Sequence, residues 1–326
     1  MRFVLDAEQR LFAETLDKLL TEGSAAVVAR EWAAGRPEPG LALWRSLAGA
    51  GVLALAVPES AGGAGPLPVE LVTAFHEFGR HGVPGPYVET VAAAVMLGRL
   101  PESSPAAAWL PAIADGALVV SLALPPAVPY ALDADVAGLV LSVDGEELRV
   151  AGCGEAHASL DPVRRLFSVT GVTAGEVIAS DAAAAEAYDM GALVCAAQLV
   201  GLGRRLLEVS VDYARTRRQF GRPIGEFQAV RHHLADALVG LEYARPLVYG
   251  AALSHGTPDF ARDVSAAKAA ASEAAYAAAR IALQVHGAIG YTDEYDLSLL
   301  IRKARALHSA WGSPADHRAR VMSALA

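Results

Sequence analysis

The hydrophobic period of the chain changes twice, and that change restricts it to helical layers around a small sheet. From Asp6 to about Ala114 apolar residues recur at helical spacing: Leu11, Leu16, Leu19 and Leu20, then Leu41 to Ala50, then Val69 to Arg80 after a Gly/Pro-rich break at 61–68. From Ala117 to about Ser180 the period shortens to that of strands. Val119 to Leu122, Gly138 to Val143, Leu148 to Val150 and Leu166 to Val169 are β-rich runs bounded by turn residues, and Asp144-Gly145 is a hairpin signal. After Asp181 the helical period returns, with an Ala-rich run from Asp259 to Val285 whose small side chains let helices approach closely. The expected fold is mainly α with a small central antiparallel β domain. Its parts are an N-terminal helical domain over 1–115, a reduced β domain over 116–180 and a C-terminal helical bundle over 181–326.

With 326 residues, 53% hydrophobic and 19% charged, the chain has enough apolar mass for a substantial core. The formal net charge of −9 provides no basic field for nucleic acid or an anionic membrane surface. Apolar runs such as Val88 to Leu97 fall short of the roughly 20 residues a helical span takes, so no membrane segment is expected. The start, Met1-Arg2-Phe3-Val4-Leu5-Asp6, lacks a basic-then-apolar leader pattern, which makes the cytoplasm the expected location. Cys153 and Cys195 lie far apart and are expected to be free thiols.

Residues 213–228 join two apolar-periodic helices through a connection carrying four arginines, 215, 217, 218 and 222. Leu199, Leu202, Leu206, Val209 and Tyr213 share one helical face before the connection, and Phe227, Val230, Leu234, Leu238 and Leu241 share one after it. Gly221 and Pro223 supply the break. A guanidinium fixed at such a corner is a bidentate clamp for phosphate, and the alternative is a solvated turn with surface arginines.

This stretch resembles the flavin-binding signature of the acyl-CoA dehydrogenase family at Arg217, Gln219, Phe220, Gly221, Phe227 and Gln228. A second family segment follows in order: Gln284-Val285-His286-Gly287-Ala288-Ile289-Gly290-Tyr291-Thr292, then Glu294-Tyr295 and Arg302. A weaker match lies in the N-terminal third, at Leu43-Trp44, Gly49-Ala50-Gly51-Val52, Val57-Pro58-Glu59 and Gly62-Gly63. The resemblance covers about three quarters of the chain and implies a C-terminal four-helix bundle. It also implies FAD shared at a subunit interface: Arg217 on the pyrophosphate, Phe220, Phe227 and Gln228 as the adenosine-side wall, and Gln284, His286 and Gly287 touching adenosine or pyrophosphate.

The family's chemistry needs a glutamate that removes the α proton of an acyl-CoA thioester while hydride passes to the flavin. The resemblance places that base in either of two positions, and here they hold Gly191 and Trp311. Asp189 and Glu186 lie near the first but point elsewhere on a helix. The strand segment that carries the flavin platform in the family corresponds to Leu122-Ala123-Leu124-Pro125-Pro126-Ala127-Val128-Pro129, which has no hydroxyl or carboxylate.

Other constellations carry less. Adjacent His232 and His233 point about 100° apart on a helix and do not share a metal. Asp316-His317-Arg318 lacks a nucleophile at a strand turn and is expected to be a solvated helix start. Gly201-Leu202-Gly203 follows a helix, not a strand, and is no dinucleotide fingerprint.

The resemblance therefore implies a non-catalytic subunit. It would complete an FAD site beside a homologous catalytic acyl-CoA dehydrogenase subunit in an α2β2 tetramer, as in sterol side-chain degradation, with acyl-CoA as substrate and electron-transfer flavoprotein as acceptor. Two alternatives stay open: a self-sufficient homo-oligomer with an unrecognised base, and a flavin-free scaffold.

Overall fold

The computed structural model describes residues 5–101, 103–172, 177–180 and 183–326; the segment Met1–Val4 and the expected return to helix at Asp181 lie outside the described residues. Helices α1 (Ala7–Glu22), α2 (Ala25–Ala33), α3 (Glu38–Gly49), α4 (Pro68–His81), α5 (Tyr87–Leu97) and α6 (Leu110–Ala114) come first. Strands β1 (Val120–Ala123), β2 (Ala131–Leu132), β3 (Leu139–Asp144), β4 (Glu147–His157), β5 (Leu166–Thr170) and β6 (Val177–Ser180) follow. Then come α7 (Ala184–Thr216), the short strands β7 (Arg218–Gln219) and β8 (Arg222–Pro223), α8 (Gln228–Leu253), α9 (Phe260–His286), α10 (Leu297–Ser309) and α11 (Pro314–Leu325).

Local chemistry starts and stops these elements where the spacing predicts. A capping box opens α1: Asp6 Oδ1 accepts from the Gln9 amide at 2.9 Å, and Gln9 Oε1 accepts from the Asp6 amide at 3.1 Å. Gly145, at φ +63°, turns β3 into β4 directly after Asp144, as the hairpin signal requires. One pairing departs from the expected antiparallel sheet: β1 and β3 run parallel, from Val120 opposite Leu139 to Ala123 opposite Ser142. Between them the chain visits the far side of the sheet as β2, paired to β5, and a chain that crosses the sheet re-enters in its original direction.

The core is centred on α7. This helix is long and apolar enough to span a membrane by composition, yet 89% of that window is buried in the fold, against α4, α5, α8 and α9. Close approach is built in. A β-carbon on Gly79 would stand 1.9 Å from the Gln198 carbonyl oxygen, and one on Gly201 would stand 1.8 Å from that of His76, so α4 and α7 meet backbone to backbone. On the other side α9 lays Ala267, Ala271, Ala275, Ala278 and Ala282, all buried, along the bundle interior.

Buried polar joints fix the sheet to the helices. Trp32 Nε1 on α2 donates to Asp133 Oδ1 at 3.0 Å, and Arg165 Nε donates to the same oxygen at 3.3 Å. Burial lifts the Asp133 carboxyl to about 6 against the pull of Trp32 and Arg165. Lys303 on α10 pairs with Asp161 at 3.3 Å, both buried, which anchors the loop between β4 and β5 to the middle of α10.

Candidate functional site

The arginine connection is a small hairpin. Arg218 faces Pro223 and Gln219 faces Arg222 across β7 and β8, with Phe220 (φ +52°) and Gly221 (φ +81°) at the tip. A bulky residue in the left-handed region is strained by roughly 1–2 kcal/mol, and such strain collects at functional positions. Phe220 is also 91% exposed, touching Phe227 edge-on at a centroid separation of 6.1 Å. Arg222 lies over the Phe227 ring at 4.3 Å, which orients that ring at the foot of α8. Arg217, Arg218 and Gln228 are exposed, and neither Arg217 nor Arg218 forms an ion pair among the described residues.

The second segment lies next to the first. Tyr213, in the last turn of α7, stacks on His286, the last residue of α9, with centroids 4.2 Å apart. Gln284 and Gly287 open onto a groove of about 760 Å³, also lined by His233, Arg280 and Tyr291. His286 differs from its neighbours. It is 5% exposed, its Nδ1 lies 2.8 Å from the Ala282 carbonyl, and burial lowers its pKa. It is therefore a neutral post beneath the groove, with Nε2 buried and without a hydrogen-bond partner among the described residues. The α8 face predicted to be apolar is only half covered: Leu241 is buried, while Leu238 is 38% exposed.

The two positions where the family's base is expected meet each other. A β-carbon on Gly191 would lie 2.2 Å from Cζ3 of Trp311, so the indole occupies the space above the glycine. Trp311 is 2% exposed and sits at φ +57° in a tight turn. Its carbonyl accepts from His317 Nε2 at 2.8 Å and from the Tyr188 hydroxyl at 3.2 Å. The next carbonyl, of Gly312, accepts from the buried Lys268 Nζ at 3.2 Å. Burial lowers His317 to about 4, so its role is that of a neutral donor at a buried helix start. That corrects the expectation of a solvated helix start at His317 alone, since Asp316 and Arg318 are exposed.

The carboxylates near Gly191 are committed elsewhere. Glu186 pairs with Arg99 and His255, and Asp189 with Arg320 Nη2 at 2.6 Å. Asp17, Glu77 and His81 cluster closely enough for a metal, but Arg80 Nη1 donates to both carboxylates, at 3.1 and 2.9 Å.

Beside Trp311 lies a cavity of about 460 Å³, bounded by the 127–130 loop, the 158–166 region and the end of α10. The 127–130 stretch lines it with Ala127, Val128 and Pro129, which carry no side-chain hydrogen-bonding group, and with Tyr130, whose hydroxyl lies one residue beyond the segment compared with the family's flavin platform. The structure adds Glu89, which sequence reasoning missed: it lines this cavity, is 1% exposed, and accepts from Trp311 Nε1 at 3.3 Å. Its signal in the sequence is a lone acidic residue inside the apolar run of α5, and Lys268 in the Ala-rich run of α9 gives the same signal.

Comparison with known proteins identifies the family and the fold. Residues 6–117 match the acyl-CoA dehydrogenase N-terminal domain and residues 182–326 match the acyl-CoA dehydrogenase C-terminal domain. The chain is 33% identical to acyl-CoA dehydrogenase IpdE2 of Mycobacterium tuberculosis over 97% of its own length and 96% of that protein. In fold it matches the ChsE4-ChsE5 complex of Mycobacterium tuberculosis with a TM-score of 0.83 at 23% identity, covering 100% of this chain and 99% of that one. It also matches a variant of the Tcur3481-Tcur3483 steroid ACAD with a TM-score of 0.81 at 22% identity, covering 98% and 97%. The chain belongs to the acyl-CoA dehydrogenase family.

Proposed function

We propose that this chain is the non-catalytic subunit of a mixed α2β2 acyl-CoA dehydrogenase, and that it completes an FAD site at the interface with a homologous catalytic subunit. The observation that carries this reading is the asymmetry of the site. The base positions, Gly191 and Trp311, are closed against each other, whereas Arg217, Phe220, Gln228, Gln284 and Gly287 lie open on one surface. An aromatic as exposed as Phe220 on a strained turn is suited to a covered position. Leu238, Val239, Tyr243 and Leu247 continue the exposed apolar surface along α8.

When bound, FAD supplies the hydride acceptor for α,β-dehydrogenation. In this reading Arg217 pairs with the pyrophosphate, and Phe220, Phe227 and Gln228 flank the adenosine side. Gln284 and Gly287 present amide groups to it, and His286 supports them from below through its stack with Tyr213. The substrate is an acyl-CoA of the bulky, sterol-derived kind suggested by the steroid ACAD likeness, and the electron acceptor is an electron-transfer flavoprotein. We place the complex in the cytoplasm, a setting that suits two free thiols.

Flavin absorbance tests the reading, measured on the chain alone and co-purified with a catalytic homologue. The lone chain should hold little or no flavin and oxidise no acyl-CoA. In the complex, Arg217→Ala should lower flavin affinity roughly 10- to 150-fold, the loss of a charge-assisted contact of about 1.5–3 kcal/mol. Stoichiometric flavin with turnover from the lone chain would overturn it. One observation favours the second reading, a self-sufficient enzyme: Glu89 is a buried carboxyl in the cavity beside Trp311. Conversion to glutamine removes any base there and tests that reading directly.

A further inference from the structure

Glu89 has one oxygen more than its surroundings satisfy. Oε1 accepts from Trp311 Nε1 at 3.3 Å, while Oε2 is buried without a hydrogen-bond partner from any described residue. An indole N–H only donates, so it marks Oε1 as the accepting oxygen and assigns the proton of a neutral carboxyl to Oε2. Burial favours that neutral form and raises the pKa against the opposing charges of Arg164 and Lys303. Arg164 lines the same cavity and makes no side-chain ion pair among the described residues, so it and the neutral Glu89 both present donors there, beside the polar side chains of Tyr130, Ser159, Arg305 and Ser309. Val128, Pro129, Leu160, Leu166 and Trp311 supply its apolar walls. A cavity of about 150 Å³ admits benzene, so this space of about 460 Å³ is ample for a branched or ring-bearing hydrocarbon.

We propose that this cavity binds an acyl group whose apolar body carries a carbonyl oxygen, and that the Glu89 Oε2 hydroxyl donates to that oxygen. The acyl-thioester class of the ligand rests on the function proposed above. The recognition itself needs neither flavin nor a base in this subunit. Glu89 then discriminates ligands and takes no proton from them.

The test uses octanoyl-CoA and its analogues with a single ketone at carbon 5, 6 or 7, titrated by calorimetry into the full chain and into its complex with the catalytic homologue. At least one ketone should bind about tenfold more tightly than octanoyl-CoA, as expected for one added buried hydrogen bond. Glu89→Gln keeps an acceptor for Trp311 and an N–H donor toward the cavity, so the preference should persist within about threefold. Glu89→Met keeps the length and loses the donor, so the preference should vanish. Trp311→Phe removes the same hydrogen bond as Glu89→Met without touching Oε2, so its retained preference separates recognition from folding damage. Equal binding of all the thioesters by the wild type, binding of none, or loss of the preference in Glu89→Gln would each overturn the proposal. Flavin content of Arg217→Ala is read separately: loss of flavin with the ketone preference intact upholds both readings, and unchanged flavin rejects only the cofactor role.

Discussion

The indole of Trp311 rests on the backbone of Gly191, so near that one added β-carbon would stand 2.2 Å from the ring. The two places where the sequence resemblance puts a catalytic base are thereby a single packing unit. Gly191→Ala should overpack it and lower stability by about 1–3 kcal/mol in urea denaturation. In a Trp311→Ala background the same change should cost far less, giving a coupling of at least about 1 kcal/mol in a double-mutant cycle. Additive effects would show that the ring and the glycine do not share that space.

The tip of the arginine hairpin separates function from stability. Phe220 is 91% exposed and sits at φ +52°. Glycine relieves the left-handed strain, so Phe220→Gly should leave stability unchanged or raise it by up to about 1 kcal/mol. In the complex with a catalytic homologue, the same variant should retain less flavin. Unchanged flavin retention would make the exposed ring a passive surface feature.

Much of this architecture is legible in the sequence because periodicity and turn chemistry are local signals. The helical, strand and helical phases, the Asp144-Gly145 hairpin and the break at Gly221 all appear in the structure. The parallel pairing of β1 with β3 does not follow from local pattern, because it depends on where β2 docks. Nor does the exposure of Leu238, since spacing defines a face without saying what covers it. The resemblance singles out Gly191 and Trp311 separately, but the contact between them spans 120 residues and needs three dimensions. Glu89 and Lys268 are written in the sequence as charges in apolar runs, and only their neighbours reveal what each holds.

His317 should make the protein acid-sensitive in a defined window. Its folded value of about 4 lies below the ordinary 6.5, because burial disfavours the cation among Lys268 and Arg320, with only Asp316 and the Trp311 carbonyl opposing. Above pH 6.5 both folded and unfolded forms are neutral, and the full stability is present. As pH falls from 6.5 toward 4 the unfolded chain takes up a proton that the folded chain refuses, so stability drops, by up to about 3 kcal/mol. His317→Gln still donates to the Trp311 carbonyl and does not titrate. Urea midpoints between pH 7 and 4.5 should therefore fall less steeply in that variant, while the contribution of His286 is common to both. Equal slopes would reject the assignment.

Lys268 is fully buried, and its ammonium donates to Ser272 Oγ at 2.9 Å and to the carbonyls of Leu307 and Gly312, each at 3.2 Å. Two opposing effects follow from Lys268→Met. Two buried carbonyls lose their donor, at roughly 1–3 kcal/mol each, while removal of an unpaired buried cation relieves several kcal/mol of desolvation. These magnitudes nearly cancel, so global stability is a poor readout and local order is the informative one. Lysine joins the end of α10 to the turn that seats Trp311, and methionine of similar length removes that link, leaving the hydrogen bonds of His317, Tyr188 and Glu89 to Trp311. Amide hydrogen exchange across residues 307–313 should accelerate at least about tenfold, while exchange in α4 and α5 changes by less than about threefold. Unaltered exchange at 307–313 would show that the Lys268 hydrogen bonds do not hold the Trp311 turn in place.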